Sequence, residues 1–530
     1  DGSAAWIFCT PGYVDSRWFG AGNELDAAEY AYSIGVPMVI APSTTIVVEC
    51  DPTGGDDLQA MANWVAGPHL VAPGSSISLQ IADGYHAVNT YIDLYGKSLH
   101  VKASATPDEV TATAITYSLI SGNTYEVTIT VGSALPDIVV AGFPIGVQNC
   151  KIAAGYEPIN GAHRVVSVAV DMLSFVIHAR CYGVTPANAA SLDNTLTLGL
   201  TANQIIVPKA ALEVDSAGWD GSAREGFINC FEGAKIRIDY LGIAYDGATD
   251  EHDLLFAQGT GSRIYLYDKC VLCGAGDKIL RLSGGAEIYA NRSCIGGGLY
   301  AAEILQGIYG SMVTLVRCTM GGTSLYGLTA GTACKFGATS SIMASCGSAA
   351  LYVTYDSGSI EFLSGVVTRS AKAVNPIQGV ITMNSTCIID ACTDMMLYSS
   401  SICGRFVSPS TLTLQRNTNT YGYPNFMTDG GGGWAYDSLA LLPYAHKKVT
   451  YDFGSISAYS QLTYDVAVTG AVAGYSSCTV SEAGTATPGL IFTARCGTTG
   501  QVTIVASNIT AAPIDPGNRV YSITAHRVLS

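Results

Sequence analysis

The apolar residues of this chain recur at a nearly fixed interval between Ala234 and about Asp390. Each recurrence is a short run in which apolar and polar residues alternate, and a glycine stands just before it. A period of this length, built from segments too short and too β-branched for helix pairs, predicts a solenoid in which each coil rests on the one before. Six runs, separated by 24, 24, 28, 20 and 21 residues, begin at Ile264, Ile288, Met312, Ser340, Ile360 and Ile381.

A cysteine closes five of these six runs at the same offset. Stacked coils place equivalent residues about 4.8 Å apart, so the alignment predicts an internal ladder of buried free thiols, which behave as small hydrophobes. Disulfides or a metal site are the alternatives, but Cys270 and Cys273 form only a lone C-x-x-C pair, and zinc sites pair two such motifs. The aligned cysteines are Cys270, Cys294, Cys318, Cys346 and Cys387.

Changes in this pattern divide the 530 residues into five regions. Two helix-then-strand units at the start suit a cap that protects the edge strands of the solenoid. Alternating strands around the Asn160–Gly161 hairpin turn interrupt the first coils, and the coils resume at Ile205. The predicted regions are an N-terminal cap (1–66), first coils (67–103), an inserted β-domain (104–204), the main solenoid (205–429) and a C-terminal β-sandwich (430–530).

Composition narrows the classes of function. The formal net charge of −16 argues against a nucleic-acid partner, which requires a basic surface. No run of 18 apolar residues occurs, so no membrane span is expected. The sequence after Asp1 lacks the basic segment with which a signal peptide begins, so no signal peptide is expected. The sixteen cysteines are too dispersed for a small disulfide scaffold and indicate assembly in a reducing cytoplasm. No metal, phosphate-loop or Ser/His/Asp motif is found, so no cofactor is predicted.

Tyrosines at outward positions of the coils predict a face that would bind sugar rings. The repeat register stacks Tyr265 on Tyr289 and places Tyr267 beside Asp239 of the preceding coil. Arg292 shares a column with Asp268 of the preceding coil, where an exposed ion pair would contribute little. The alternative is that tyrosines simply favour strands. The predicted substrate-binding residues are Asp239, Tyr265, Tyr267, Tyr289 and Arg292.

Acidic residues in successive turns predict a hydrolytic site. Glycoside hydrolysis usually needs two carboxyl groups, one protonated and one ionised. If the turns keep register, Glu251 and Glu303 lie two coils apart, about 9.6 Å, near the upper end of the inverting range of about 6.5–9.5 Å. Asp277 lies on the coil between them. Glu251, Asp277 and Glu303 are therefore the predicted catalytic residues, and solvated turn acids or a small cation site are the alternative.

Both ends of the chain resemble a known family. Trp18–Ala21 (Trp-Phe-Gly-Ala), an acidic Ala-rich helix and a strand entering a Gly-rich repeat resemble the start of the pectate-lyase-like right-handed β-helix of bacteriophage tailspikes. The family's G-D-G-x-x-D-D segment is replaced by Gly22–Asp26 (Gly-Asn-Glu-Leu-Asp). The order of Asp452–Ile456, Val468–Gly470 and Asn508–Thr510 is similar to a C-terminal β-sandwich of phage tail fibres and spikes, where it supports trimerisation or carbohydrate contact.

The resemblance implies an all-β protein: a capped right-handed parallel β-helix with an inserted β-domain and a C-terminal β-sandwich. It implies a homotrimer in the virion tail, assembled in the host cytoplasm, working outside the cell and joined to the tail or baseplate through a segment upstream of Asp1. The expected partner is a bacterial surface polysaccharide, which the tailspike would depolymerise, by hydrolysis in preference to lyase chemistry. A receptor-binding spike without catalysis, a polysaccharide lyase, and a secreted enzyme or adhesin outside any virion are the alternatives.

Overall fold

The computed structural model describes residues 13–527 except 16–18, 20–22, 41–43, 73, 196, 216–225, 246–251, 275–276, 298–300, 355–356, 397–402, 409–412, 416, 418–433, 438–443, 469–470, 472, 474–475 and 483–485. In this part of the chain nearly all regular structure is strand, and the all-β prediction is confirmed. The described helices are Glu24–Ser33 and Leu58–Val65. Neither is long and apolar enough to cross a membrane.

Most strands form a parallel solenoid with three sheets, named I, II and III in the order in which each coil visits them. The ten strands of sheet I are Gly84–Val88, Ala210–Val214, Gly242–Tyr245, Val271–Cys273, Cys294–Gly296, Thr319–Thr323, Ile342–Cys346, Val366–Thr368, Ile388–Asp390 and Thr413–Gln415. The nine strands of sheet II are Ile92–Tyr95, Gly226–Phe231, Asp253–Gln258, Lys278–Ser283, Glu303–Ile308, Tyr326–Ala330, Ala349–Val353, Lys372–Pro376 and Asp394–Met396. The twelve strands of sheet III are Thr45–Cys50, Ser76–Ile81, Ser98–Ala103, Lys235–Asp239, Arg263–Tyr267, Glu287–Asn291, Met312–Val316, Lys335–Thr339, Gly358–Leu363, Gln378–Met383, Cys403–Ser408 and Trp434–Asp437.

Four smaller sheets hold the remaining strands. A three-stranded sheet contains Val14–Asp15, Met38–Ile40 and Leu70–Val71, and a two-stranded one contains Lys151–Ile152 and Gly155–Tyr156. A closed barrel contains Asp108–Ser121, Thr124–Val131, Pro144–Gln148, Gly161–Val168, Ser174–Arg180 and Gln204–Val207. A six-stranded antiparallel sheet contains Tyr444–Asp452, Gln461–Ala467, Ser476–Glu482, Leu490–Thr498, Gln501–Asn508 and Asn518–Arg527.

The alternation of apolar and polar residues explains how the coils stack. In the strand Lys235–Asp239 both isoleucines are buried, whereas the first and third residues are exposed. Ile236 pairs with Ile264 of the next coil, and Ile264 pairs with Ile288 of the one after. A fully buried side chain of this size contributes about 1.5–3 kcal/mol. The inner column of isoleucines therefore favours the coil register that the strands adopt.

The predicted repeat register is wrong at two runs. Ile288 pairs with Val313 and not with Met312. The run predicted to begin at Ser340 belongs to sheet I, because the sheet III strand of that coil is Lys335–Thr339. That strand reads Lys-Phe-Gly-Ala-Thr and carries a single large apolar residue, so the hydrophobic pattern does not reveal it. The first and last predicted steps of the repeat are correct, because Ile264 pairs with Ile288 and Ile360 pairs with Ile381.

The single cysteine ladder is also wrong. Cys294 pairs with Val271 and Thr319 inside sheet I, whereas Cys270 and Cys318 directly precede those two strands. Neighbouring cysteines therefore occupy different columns and point in different directions. The fourteen cysteines whose side chains are described are nevertheless all free, and twelve of them are buried. The part of the prediction that describes these cysteines as buried free thiols therefore holds for twelve of the fourteen.

The N-terminal helices lie against the first coils. Helix Leu58–Val65 begins at Asp57, whose carboxylate accepts a hydrogen bond of 3.0 Å from the backbone N–H of Ala60. Its apolar side packs on the strands Ser76–Ile81 and Ile92–Tyr95. An N-cap of this kind contributes about 1 kcal/mol to helix stability.

The inserted barrel ends later than the sequence indicated. Its last strand pairs with its first, so that Ile205 faces Val110 and Val207 faces Asp108. Ile205 therefore belongs to the barrel, and the solenoid resumes at Ala210, which pairs with Gly84. The apolar run at Ile205 is misleading in the sequence because a barrel strand and a coil strand share the same alternation.

The barrel is fixed to sheet I by a buried ion pair. Nη2 of Arg369 donates to the Glu157 carboxylate at 3.1 Å, and Nε donates to the carbonyl oxygen of Tyr156 at 3.2 Å. The hydroxyl of Tyr117 donates to the other oxygen of Glu157 at 2.6 Å. The side chains of Arg369 and Glu157 are 2% and 0% exposed. The charges of this pair are thus compensated where barrel and solenoid meet.

Glycines allow the barrel backbone to approach sheet I closely. A Cβ atom at Gly296 would overlap the carbonyl oxygen of Ala162 in the barrel. We expect Gly296→Ala to lower the free energy of unfolding by about 1–3 kcal/mol, because the docked backbones must separate. Chemical denaturation measures this change. Gly337→Ala is the matched control, since its Cβ would meet nothing closer than 3.8 Å; equal destabilisation of both variants would contradict the prediction.

The C-terminal region forms a second compact unit. Its six described strands pair antiparallel in an unbroken order, so the region predicted as a β-sandwich is one continuous sheet. One face of the sheet encloses a separate core that includes Val502, Ile504, Tyr521 and Ile523.

Candidate functional site

Outward side chains of sheet III form two columns of polar and aromatic residues. In the first column, His100 pairs with Arg237, Arg237 with Tyr265, and Tyr265 with Tyr289 on successive coils. In the second column, Asp239 pairs with Tyr267. The structure therefore brings the predicted tyrosines and Asp239 together in the predicted register.

The ring of Tyr267 contacts the rings of the other two tyrosines. The ring centroids of Tyr265 and Tyr267 are 6.0 Å apart with an interplanar angle of 15°, and those of Tyr267 and Tyr289 are 5.4 Å apart. Cζ of Arg237 lies 4.6 Å from the centroid of Tyr267, a cation–π distance. We call this surface, defined by Arg237, Tyr265, Tyr267 and Tyr289, the aromatic face.

Asp239 holds the basic groups of the aromatic face in place. Nε and Nη2 of Arg237 donate to its two carboxylate oxygens at 2.9 and 2.8 Å, and Nε2 of His100 lies 2.9 Å from Oδ2. Burial alone would raise the pKa of Asp239, but the hydrogen bonds with His100 and Arg237 outweigh it and leave the pKa below its ordinary value. Asp239 is thus a buried carboxylate that positions its neighbours.

Arg292 lies at the corner that follows the strand Glu287–Asn291. It is exposed, its backbone is left-handed with φ 51°, and its N–H donates to the carbonyl oxygen of Val316 at 2.9 Å. Asp268, the expected partner of Arg292, accepts a hydrogen bond from Asn291 at 3.1 Å instead. Arg292 therefore stands at the end of the aromatic face and not within its columns.

Acidic residues gather where the chain enters sheet II. Lys278 pairs with Glu303 of the next coil, and Glu303 with Tyr326 of the one after. Asp277 directly precedes Lys278 in the chain, so it lies one position outside the column that Lys278 and Glu303 share. The backbone N–H of Lys278 donates to Asp253 at 3.2 Å. Of the predicted carboxylates, Asp277 and Glu303 are therefore neighbours on adjacent coils but do not share a column, and Glu251 lies outside the described residues.

Glu303 is nearly buried, with 8% of its surface exposed. This burial raises the pKa of its carboxyl; the negative charge of Asp277 adds to the increase, and the positive charges of Lys278 and Arg281 oppose it. The Asp277 side chain is 36% exposed and forms an ion pair with Nζ of Lys278. One carboxyl group thus has a raised pKa, while a second one, close by, faces solvent.

Further groups surround these carboxyls on sheet II. Nε2 of Gln306 donates to Glu303 at 3.3 Å. The rings of Tyr326 and Tyr352 are stacked with centroids 4.1 Å apart and an interplanar angle of 11°. We call the set of Asp277, Lys278, Glu303, Gln306, Tyr326 and Tyr352 the acidic corner.

Sequence reasoning missed Gln306, Tyr326 and Tyr352. A second repeat, formed by the strands of sheet II, could have revealed them. In it Arg281 pairs with Gln306, and the same column continues through Thr329 to Tyr352. Only the stronger apolar runs of sheet III align readily in the sequence.

The aromatic face and the acidic corner are separate surfaces. The acidic corner is where strands of sheet II begin, whereas the aromatic face lies along the strands of sheet III. Within one chain the predicted tyrosines therefore do not form one site with Asp277 and Glu303, the two predicted carboxylates that the structure describes. Among the described residues, no group of three or more His, Cys, Asp or Glu side chains is placed to hold a metal ion.

No protein-family model and no curated protein matches the sequence. Solved structures do match it. The tailspike protein of Pseudomonas phage LKA1 matches over 85% of this chain and 91% of its own, with 11% identity and a TM-score of 0.25. The tailspike of E. coli bacteriophage HK620, as a double mutant and as a complex with a pentasaccharide, matches over 95% of this chain and 89% of its own, with 8% identity and a TM-score of 0.27.

All of these structures are phage tailspikes. The parallel solenoid itself is established by the strand pairing described above, and at these TM-scores no residue of a tailspike is assigned to a position of this chain.

Proposed function

We propose that this chain is a phage tailspike that binds a bacterial surface polysaccharide and cleaves it by glycosidic hydrolysis at the acidic corner. The observation that supports cleavage most is that the nearly buried Glu303 and the solvent-facing Asp277 are neighbours on adjacent coils, where the backbone N–H of Glu303 donates to the carbonyl oxygen of Asp277 at 3.2 Å. The raised pKa of Glu303 suits a general acid, which must carry a proton at the working pH.

In this proposal Glu303 protonates the glycosidic oxygen, and Asp277 attacks the sugar or activates water. Gln306 would orient Glu303, and the stacked Tyr326 and Tyr352 would offer a flat surface to a sugar ring. Glu251 remains a third candidate carboxylate.

Polysaccharide binding by the aromatic face is part of the same proposal. Tyr265, Tyr267 and Tyr289 would contact sugar rings, Asp239 would position Arg237, and Arg292 would reach the chain at the edge of the face. The homotrimer, the place in the virion tail and the attachment through an upstream segment are proposed on the resemblance of both ends of the sequence to tailspikes and tail fibres.

A polysaccharide lyase is the second candidate. Arg237, His100 and Tyr267 lie together on the aromatic face. In a lyase a cation neutralises the carboxylate of the sugar, and a basic side chain or tyrosine removes the proton next to it. This set would supply both groups, whereas the acidic corner would not be needed.

Incubation with capsular and lipopolysaccharide preparations from a panel of bacteria tests the proposal. New reducing ends without the ultraviolet absorbance of an unsaturated uronic product are expected. The anomeric configuration of the product, read by NMR, distinguishes attack by Asp277 (retention) from activation of water (inversion). Growth of that absorbance would replace hydrolysis by lyase chemistry. Binding without either signal, in a panel that includes a confirmed host, would make the chain a receptor-binding spike without catalysis.

A further inference from the structure

Positive charge gathers on the aromatic face although the chain as a whole has a formal net charge of −16. Lys102 lies on the coil before Asp239, and Lys235 lies on the same strand as Arg237 and pairs with Arg263 of the next coil. Three consecutive strands of sheet III thus present four permanent cations on or beside the aromatic face.

The acids of these strands are already neutralised. Asp239 is paired with Arg237, with His100 also in contact, and Glu287 of the following strand is paired with Arg263 at 2.9 Å. Lys102 and Lys235 form no ion pair with any residue that the structure describes. The outward surface therefore keeps an excess of positive charge that no carboxylate on these described strands offsets.

Arg237 retains hydrogen-bonding capacity for a ligand. A guanidinium carries five N–H donors, and Asp239 engages Nε and Nη2, which leaves the Nη1 group directed elsewhere. Its plane is fixed between Asp239 and the ring of Tyr267. An arginine held in this way is suited to bind a carboxylate, because little side-chain entropy is lost when the ligand arrives.

We infer that the aromatic face binds an acidic polysaccharide, with the carboxylates of uronic or similar sugars on Arg237, Lys235 and Lys102 and the sugar rings on the tyrosines. This inference rests on the proposed glycan binding and adds the charge of the ligand. Because the face lies on sheet III, it would hold the polysaccharide independently of cleavage at the acidic corner.

The test uses the full chain and the same panel of polysaccharides, each in its native form and after chemical reduction of the carboxyl groups to alcohols. Native acidic polysaccharides are expected to bind, and the reduced forms to bind about tenfold or more weakly. Binding should also weaken as salt is raised from low to physiological ionic strength.

Variants assign the effect to the face. Lys235→Met removes an exposed charge without disturbing the core, and Arg237→Met removes the held guanidinium; each is expected to weaken binding of the native polysaccharide by about three- to tenfold or more. Lys335→Met is the matched control, since Lys335 is an exposed lysine in the same outward column, further along sheet III than Lys235. It should leave binding unchanged.

Several results would overturn the inference. These are equal binding of native and reduced polysaccharide, binding by Lys235→Met and Arg237→Met at the wild-type level, or no binding to any acidic polysaccharide. Cleavage is read separately from reducing ends. If cleavage is absent while charge-dependent binding persists, the hydrolase proposal fails and this inference stands. If cleavage occurs without charge-dependent binding, this inference fails and the hydrolase proposal stands.

Discussion

Replacement of Glu303 by Gln is expected to lower the rate of polysaccharide cleavage by about 10²- to 10⁴-fold, the usual contribution of a general acid. The amide keeps the shape of the side chain and its contact with Gln306, but it has no proton of suitable acidity to donate. Binding to the polysaccharide should persist, because the aromatic face is unchanged. Reducing-end assays and direct binding measurements on the same preparations separate the two effects.

The matched control is Glu287→Gln. Glu287 is a carboxylate of the same solenoid, paired with Arg263 on sheet III, and its loss should leave the cleavage rate within about twofold, since exposed pairs contribute little. Cleavage by Glu303→Gln at the wild-type rate would remove Glu303 from the reaction. The same would hold if Glu287→Gln were equally impaired.

The pH dependence of cleavage gives an independent readout of the same carboxyl. Burial raises the pKa of Glu303, so the alkaline limb of the pH profile should lie above the ordinary glutamate value of about 4.3. Lys278 opposes the raised pKa. In Lys278→Met the pKa should therefore rise further and the alkaline limb should move to higher pH. An unmoved limb would mean that another group sets it.

Replacement of Arg369 by Met is expected to lower the free energy of unfolding of the solenoid and barrel by about 3–5 kcal/mol. The variant leaves the Glu157 carboxylate buried, while the Tyr117 hydroxyl keeps its hydrogen bond to it. An uncompensated buried charge has a large desolvation cost. Chemical denaturation followed by tryptophan fluorescence measures the change.

Two controls show whether the buried charge is the cause. Arg263→Met breaks an ion pair whose side chains are 35% and 37% exposed, and it should lower the free energy of unfolding far less than Arg369→Met, because exposed pairs contribute little. The double variant Arg369→Met with Glu157→Leu removes both charges and should recover much of the lost stability. A loss for Arg369→Met as small as that for Arg263→Met would show that the pair does not stabilise the docking of the barrel.

The solenoid was predictable because its inner column is strongly apolar. Ile264, Ile288, Ile360 and Ile381 mark coils by themselves, and the outward tyrosines follow once the strands are placed. The strand at Lys335 is hidden in the sequence because its residues are weakly apolar, and its omission displaces the register of that coil. The fold class could still be predicted, because the repeat remains recognisable in the sequence when one strand is missed.

The position of the corners was not predictable from the sequence. A glycine precedes each apolar run in the sequence, but corners from sheet III to sheet I use left-handed residues that are not glycine. This conformation costs about 1–2 kcal/mol for other L-residues, and the stacked strands on both sides impose it. The residues in question, with φ between 51° and 62°, are Tyr240, Arg292, Arg317, Ser340 and Ser364.

The candidate site shows the effect of turn length most directly, where the chain passes from sheet I into sheet II. The turn before Glu303 is two residues longer than the turn before Lys278, and Lys278, not Asp277, lies in the column of Glu303. The burial that raises the pKa of Glu303 depends on the neighbouring coils and on no local motif. Gln306 and Tyr352 lie on strands of sheet II, whose repeat is weaker in the sequence than that of sheet III. They can be recognised as neighbours only when the strands of all three sheets are aligned.

The pairing of the first and last barrel strands has a consequence for the order of folding. Asp108 lies beside Val207, and Ala210 stacks on Gly84, which is 126 residues earlier in the chain. Closing a loop of that length costs entropy that grows with the logarithm of its size. Once the barrel has formed, its own strands hold the two ends together and the remaining connection is short. Growth of the solenoid past Ala103 should therefore wait for the barrel, which makes the insertion a kinetic checkpoint of assembly.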